Sequence, residues 1–227
     1  MRPSPSTPVL TTLSTALAAA LLLTSAPLAA AQEQADPDQA AAGGGSVPAG
    51  WTARADKGDA KEAKIAAMGK GLHVTTGPAI ILYRSDTQGS GPFHTLATFT
   101  QTKPSKHAEG YGLFVGGQSL DGASRKYVYF LVRQDGSYLI KRRDGEKTTD
   151  ISKGWTPHAA VKKPEGNAAV TNLLEVDNKR DPSTIGFLVN GQEVYRTDAK
   201  SMALDGVVGL RVNHNLDVHV EGFDVHR

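Results

Sequence analysis

Hydrophobic and polar residues alternate along short segments between residues 111 and 225, and turn residues separate those segments. Alternation with a period of two is typical of β-strands, because successive side chains point to opposite faces. Earlier segments of the same kind are 72–75, 79–84, 93–100 and 110–115. The pattern predicts an all-β fold, arranged as a sandwich or a barrel. Residues 59–68 have helical composition but also fit a strand, and the pattern leaves that choice open.

The clearest predicted hairpin covers 127–143 and turns at Asp135-Gly136. A two-residue turn fixes which residues are opposite each other, so Arg133 is expected to face Tyr138. The apolar face of the hairpin is then Val128, Phe130, Val132 and Leu139. The other face is predicted to be Tyr127, Tyr129, Leu131, Arg133, Tyr138, Ile140 and Arg142.

Two more hairpins are predicted towards the C-terminus. In 185–196 a turn at Asn190-Gly191 places the inner residues together, namely Ile185, Phe187, Val189 and Val194, and leaves Leu188, Glu193 and Tyr195 outside. In the last hairpin a three-residue loop, 213–215, pairs Leu210 with Val218. That register also places Arg211 opposite Asp217 on the outer face.

The N-terminal region has a different character. Residues 1–31 contain Arg2, an apolar stretch and Ala29-Ala30-Ala31, which predicts a cleaved secretory signal peptide. Residues 32–50 are rich in small and polar residues and predict a disordered leader. One domain is expected over 51–227. We therefore expect a secreted or periplasmic protein with no membrane span after signal removal.

Composition excludes several classes of function. The chain has 25 Lys and Arg against 23 Asp and Glu, and these are interleaved, whereas nucleic-acid-binding proteins usually show a clustered basic excess. Cysteine is absent, so no disulfide framework exists. No nucleophile elbow, P-loop or dinucleotide fingerprint is present. No cofactor is expected; Asn213, Asn215 and Asp217 offer oxygens to calcium, but a left-handed turn accounts for the asparagines without an ion.

The Tyr/Arg face of the central hairpin is the best candidate binding surface. Sugars present C–H faces that pack on aromatic rings, and hydroxyls that accept hydrogen bonds from guanidinium groups. The candidate ligand-binding residues are Tyr127, Tyr129, Arg133, Tyr138 and Arg142, with Trp155 in a following loop at the rim of a cleft or over the core. The alternative is an ordinary outer face, in which Tyr and Arg cover a strand and keep their polar tips in water.

Glu175 and Asp177 are the alternative, catalytic candidates. As alternate residues of one predicted strand they project to the same face, and glycosidases use paired carboxylates. The third acidic residue of the sandwich-fold glucanases is missing, since Asn178, Lys179 and Arg180 follow. No catalytic residue is therefore expected in the main interpretation.

Three motifs resemble the concanavalin A-like or laminin G-like jelly roll. They are Tyr111-Gly-Leu-Phe-Val-Gly-Gly117, Ile185-Gly-Phe-Leu-Val-Asn-Gly191 and Gly206-Val-Val-Gly-Leu-Arg-Val-Asn-His-Asn215, together with the strand at 127–133. The resemblance extends to sandwich domains of the 3-keto-disaccharide hydrolase family. It implies a two-sheet antiparallel sandwich whose concave face binds glycans in relatives, sometimes with calcium at the rim.

The main hypothesis is an exported, non-catalytic module that binds a carbohydrate or a cell-surface component. One alternative is a glycoside-cleaving enzyme of the same fold that uses Glu175 and Asp177. The other is a structural envelope protein with a protein partner. The sequence does not choose among them.

Overall fold

Two antiparallel β-sheets pack face to face in the computed structural model, which describes residues 46–227. Sheet A has eight strands, in the spatial order β1 (Thr52–Ala55), β4 (Ile80–Gly89), β14 (Gly206–Val212), β6 (Gly110–Gln118), β7 (Lys126–Arg133), β8 (Ser137–Asp144) and β10 (Thr156–Pro157), with β9 (Lys147–Asp150) also paired to β8. Sheet B has seven, in the order β13 (Gln192–Asp198), β12 (Thr184–Val189), β11 (Val170–Asp177), β5 (His94–Gln101), β15 (Asp217–His226), β3 (Gly71–Thr75) and β2 (Lys64–Met68). The all-β sandwich predicted from the alternation is confirmed.

Between residues 46 and 227 the helical elements are two short 3-10 turns, Ala60–Glu62 and Ala199–Ser201. The first of these resolves the choice between helix and strand that the sequence left open at 59–68. A single turn capped by Asp59 is followed directly by strand β2. Within the described range, no helix has both the length and the apolar character needed to cross a lipid bilayer.

The predicted signal peptide lies outside the described residues, as does most of the predicted leader. At the leader's described end, Val47 is half-buried against the core, and the Trp51 amide donates to the Pro48 carbonyl at 3.0 Å. Contacts with the core therefore extend to Val47, a few residues before the predicted domain boundary at Trp51.

The main core lies between the two sheets. Alternate residues of both sheets supply it, for example Leu113 and Phe130 from sheet A and Phe99 and Phe187 from sheet B, each at most 1 % exposed. The Phe130 and Phe187 rings meet across the interface at 5.4 Å in an edge-to-face arrangement. Burying one such side chain contributes about 1.5–3 kcal/mol, so this layer supplies most of the stability.

The predicted register of the central hairpin is wrong by one residue. Arg133 pairs with Ser137 and Val132 with Tyr138, because the loop has three residues. The Gly136 amide donates to the Arg133 carbonyl at 3.0 Å, and Gly136 is left-handed with φ +87°, the geometry of a three-residue hairpin with a bulge. Gln134 is held away from the ladder by hydrogen bonds to the Ser105 backbone.

Because of this one-residue shift, the β8 residues predicted to lie on the outer face lie on the inner face, and the reverse. Tyr138 and Ile140 point into the main core, and Leu139 lies on the outer face beside Leu131. Arg142 pairs with Val128, is exposed and donates to the Ser201 carbonyl at 3.0 Å. The prediction that Tyr138 and Arg142 share a face with Tyr127 and Tyr129 is therefore wrong. Arg143 takes the place opposite Tyr127.

The Asn190-Gly191 turn is confirmed, with φ of 51° and 77° and Val189 opposite Gln192. A bulge after Leu188 then shifts the register, so that Phe187 pairs with Tyr195 instead of Val194. The predicted outward position of Tyr195 is wrong, since its ring packs on Phe187 at 6.0 Å.

The last predicted hairpin does not exist. Strand β14 belongs to sheet A and β15 to sheet B, so Leu210 and Val218 face each other across the core instead of pairing in one sheet. Asn215 is left-handed as predicted, with φ 56°. Arg211 and Asp217 do not pair: Asp217 contacts His73 at 3.1 Å, and Arg211 contacts Asp56.

Candidate functional site

The outer face of sheet A, which points away from sheet B, carries a second hydrophobic cluster. Its buried members are Ile81, Tyr83, Phe114, Leu120, Tyr127, Tyr129, Leu131 and Leu139. Tyr127 and Tyr129 are only 2 % and 5 % exposed. In an ordinary solvent-exposed face, the polar tips of Tyr and Arg side chains reach water. Here the two tyrosines are buried instead. We call this set the outer cluster.

Two more of the predicted site residues meet at one end of the outer cluster. The Arg133 guanidinium lies 4.3 Å from the centre of the Trp155 ring and forms an ion pair with Asp135 at 2.6 Å. Trp155 packs on Gly110 so closely that a Cβ there would meet the ring at 2.6 Å. Of the six predicted residues, Tyr127, Tyr129, Arg133 and Trp155 therefore share this face, while Tyr138 and Arg142 do not.

A charged cluster that sequence reasoning missed lies at the other end. The Asp56 carboxylate accepts from Arg211 Nη2 at 2.6 Å and from Arg143 Nη2 at 2.8 Å. Arg125 Nη2 lies 3.7 Å from the same carboxylate and donates to the Asp56 carbonyl at 3.3 Å. All three arginines are less than 10 % exposed. We call Asp56, Arg125, Arg143 and Arg211 the arginine cluster.

The arginine cluster and the outer cluster are joined by direct contacts. Arg211 Nη1 donates to the Tyr127 hydroxyl at 3.0 Å, and the Arg211 guanidinium lies 4.8 Å from the Tyr129 ring centre. Arg211 is on β14, whereas both tyrosines are on β7, with β6 between them. The long Arg and Tyr side chains therefore bridge the intervening strand.

Burial and charge set the protonation states here. Burial raises the pKa of Asp56, but the hydrogen bond from Arg211 and the charges of the three arginines outweigh it and hold the pKa below its ordinary value. Burial raises the pKa of Tyr127 and of Tyr129, and the opposing charge of Arg211 is too weak to cancel it. Asp56 is therefore ionised at neutral pH, and both phenols keep their protons.

A cavity of about 360 Å³ opens beside Tyr127 and Arg143. Its wall combines the Tyr127 ring, basic side chains and the segment after the second 3-10 turn; the other lining residues are Gly116, Gln118, Lys126, Val128, Arg142, Asp144, Lys200, Ser201, Met202 and Ala203. This volume is in the range of small-ligand sites. We call it the basic cavity.

A larger cavity of about 610 Å³ lies elsewhere, where β4 of one sheet approaches β15 of the other. Trp51 and Phe223, with ring centres 5.7 Å apart, line it together with Arg84 and Arg227. It is lined by none of the six predicted sugar-contacting residues. Size alone does not make a site, and we favour the basic cavity because it joins the buried Tyr and Arg residues.

Glu175 and Asp177 lie on the outer face of sheet B, the opposite side of the sandwich from the outer cluster. Glu175 contacts His94 at 2.9 Å. Asp177 accepts from the backbone amides of Lys179 and Arg180 at 2.8 and 3.0 Å. These contacts give both carboxylates local structural roles.

Two of the side chains considered for calcium make other contacts. Asp217 accepts from Thr102 Oγ1 at 2.5 Å, and the Asn213 side-chain amide donates to Glu109 at 3.3 Å. Over residues 46–227 no group of three or more His, Asp or Glu side chains is arranged to hold a metal ion. A calcium site stays a sequence-based hypothesis.

No protein-family model matches the sequence, and no curated protein is similar to it in sequence. Solved structures are similar in fold. The carbohydrate-binding module CBM66 from Bacillus subtilis superposes with a TM-score of 0.56 at 12 % identity, covering 78 % of this chain and 96 % of that one. The carbohydrate recognition domain of Emp46p, in its metal-free form, gives 0.52 at 14 % identity, covering 78 % and 88 %. The chain therefore has the concanavalin A-like jelly-roll fold.

Proposed function

We propose that this protein is an exported carbohydrate-binding module without catalytic activity, which binds its glycan in the basic cavity beside β7 and β8 of sheet A. The observation that carries the proposal is the convergence of buried Tyr127 with Arg143 at the wall of that cavity. Both structural neighbours reported above are named for carbohydrate binding or recognition, which supports the class of ligand. The predicted signal peptide supports export.

The chemistry of the wall suits a sugar ring. Tyr127 contributes an aromatic edge to the wall, and the guanidinium and ammonium groups of Arg143 and Lys126 donate to hydroxyls. The Asp144 carboxylate accepts hydroxyl protons in return. Since Arg143 is fixed by Asp56, the donor is pre-organised and loses little side-chain entropy on binding.

The proposed ligand is a glycan of a cell surface or an extracellular polysaccharide. Binding without cleavage is the simplest interpretation, because the sequence-predicted carboxylate pair lies on the other sheet and each member already has a structural partner. The geometry therefore favours a binding module over the glycosidase alternative.

A steric block tests the location of the site. Ala203 is exposed and lines the basic cavity, so Ala203→Trp fills the cavity without removing a core side chain. We expect glycan binding, found on an array and quantified by isothermal titration calorimetry, to weaken at least about ten-fold in this variant.

Two variants of the same kind serve as comparisons. Ala67→Trp adds the same bulk to an exposed position on β2, in sheet B, and should bind as the wild type does. Gln88→Trp blocks the larger cavity. If Gln88→Trp abolishes binding and Ala203→Trp does not, the site is at Trp51 and Phe223, and the proposed location is wrong. Wild-type protein that binds no glycan refutes the function itself.

A further inference from the structure

The wall of the basic cavity carries more positive than negative charge. It holds four cationic side chains, Lys126, Arg142, Arg143 and Lys200, against the one carboxylate of Asp144, an excess of three positive charges. Lys126 pairs with Asp144 at 3.3 Å, and Arg142 donates to a backbone carbonyl. The whole chain has a net charge of only +2, so this excess is local.

The arginine cluster behind the wall adds to that field. Three buried guanidinium groups share the single carboxylate of Asp56. The other acidic contact, Glu146 at 3.5 Å from Arg125, is 70 % exposed and therefore strongly screened by water. Charges that are removed from water interact over longer distances than surface charges do, so the net positive charge of the arginine cluster acts on the cavity.

Arg143 also retains hydrogen-bonding capacity. Its Nη atoms bond to Asp56 and to the Gly145 carbonyl, while its buried Nε has no hydrogen-bond partner among residues 46–227. A buried donor that has no partner costs free energy. Guanidinium groups bind carboxylates and sulfates especially well, because planar donors match paired oxygens.

We infer that the sugar bound in the basic cavity is anionic and carries a carboxylate, as in a uronate, or a sulfate ester. This inference rests on the proposed function, since it names the ligand class of the same site. A neutral sugar would satisfy the hydroxyl-binding groups but would leave the excess positive charge uncompensated. The cavity volume of about 360 Å³ suits a sugar unit and is too small for a nucleic-acid duplex.

Matched polymers test the inference with the full-length chain. Polygalacturonate is compared with its fully methyl-esterified form, and a sulfated galactan with its desulfated form, by affinity electrophoresis and calorimetry. We expect the charged member of at least one pair to bind at least about ten-fold more tightly, and the difference to shrink at about 0.5 M salt, where the Debye length is a few ångström. The two pairs distinguish a carboxylate from a sulfate ligand.

Exposed cations provide the matched variants. Arg142→Ala with Lys200→Ala removes two charges from the wall without touching the core. Lys61→Ala with Lys64→Ala removes two exposed charges outside the cavity and is the control. The first pair should lose about ten-fold in affinity for the charged polymer and little for the neutral one, while the control stays unchanged.

Several outcomes would overturn the inference. Equal binding of charged and neutral polymers refutes the anionic ligand but leaves the carbohydrate-binding function intact, whereas no binding of any glycan refutes both. Polyphosphate is included as a polyanion without sugar. If it binds as tightly as polygalacturonate, the cavity recognises charge alone, and the sugar class is wrong.

Discussion

Replacing Asp56 by Asn should destabilise the protein strongly. Asp56 is the shared partner of three buried arginines, with N–O distances of 2.6, 2.8 and 3.7 Å. Removing one partner of a buried ion pair costs about 3–5 kcal/mol, because the remaining charge stays buried without compensation. Asn keeps the shape and one acceptor oxygen, so we expect about 3 kcal/mol. At a urea m-value of about 2 kcal/mol/M this lowers the denaturation midpoint by about 1.5 M.

The matched control is Asp86→Asn, which breaks a similar Asp–Arg pair whose carboxylate is exposed. Its midpoint should not change measurably, because exposed pairs are screened by water. If Asp56→Asn also leaves the midpoint unchanged, Asp56 does not hold the arginine cluster, and the charge argument for the basic cavity fails with it.

The same residue predicts a pH dependence. The pKa of Asp56 is lowered in the folded protein, so the unfolded chain takes up the proton first as the pH falls. The stabilisation is complete above the ordinary aspartate pKa of about 3.9 and is lost below it, towards the lower folded pKa. The stability difference between wild type and Asp56→Asn should therefore be full at about pH 6 and shrink below about pH 4.

Three further predictions concern the core, a turn and the phenols. Phe130→Ala, which empties a fully buried position against Phe187, should cost about 3–5 kcal/mol in urea denaturation, whereas truncating the exposed Met68 should cost little. Gly191→Ala should cost about 1 kcal/mol, because φ is +77° but no atom lies within 4 Å of the new Cβ; a stabilised variant would contradict the left-handed turn. Burial raises the pKa of five of the six tyrosines, that of Tyr111 to about 12, so absorbance near 295 nm should show little ionisation of the native protein at about pH 10. Because unfolded phenols ionise first, stability should fall as the pH rises from about 10, and native phenols that titrate normally would show that the outer cluster is open to water.

The alternation of apolar and polar residues predicted which residues face the core better than it predicted which strands pair. Leu210 and Val218 were correctly assigned to the interior, although they lie on different sheets. The reason is physical: a period of two specifies which face is apolar, and two strands whose apolar faces meet across the core satisfy that pattern as well as two paired strands do.

Turn chemistry was informative only where the turn residues determine the loop length. Asn190-Gly191 has both positive φ values that a two-residue turn requires. Asp135-Gly136 looks similar in sequence, but Gln134 is drawn out of the ladder by Ser105, a contact that depends on the tertiary fold. That one residue moved Tyr138 and Arg142 away from the predicted face.

The arginine cluster could not be predicted from local patterns. Asp56 and Arg211 are 155 residues apart, and Asp56 follows a short edge strand with no distinctive motif. Arg211 was assigned correctly to an outer face, but its partner was wrong, because the strand order β1-β4-β14 that brings Asp56 near it is not visible in local sequence. Charge partners from non-adjacent strands depend on the complete topology.

The position of β15 has a consequence for how this chain matures. Strand β15 inserts between β5 and β3, in the interior of its sheet. Until residues 217–226 pair, the two flanking strands have no neighbour on that side, and loops of many residues must close before the gap is filled. Completion of sheet B therefore depends on β15, and a chain that lacks residues 217–226 leaves two open strand edges prone to aggregation.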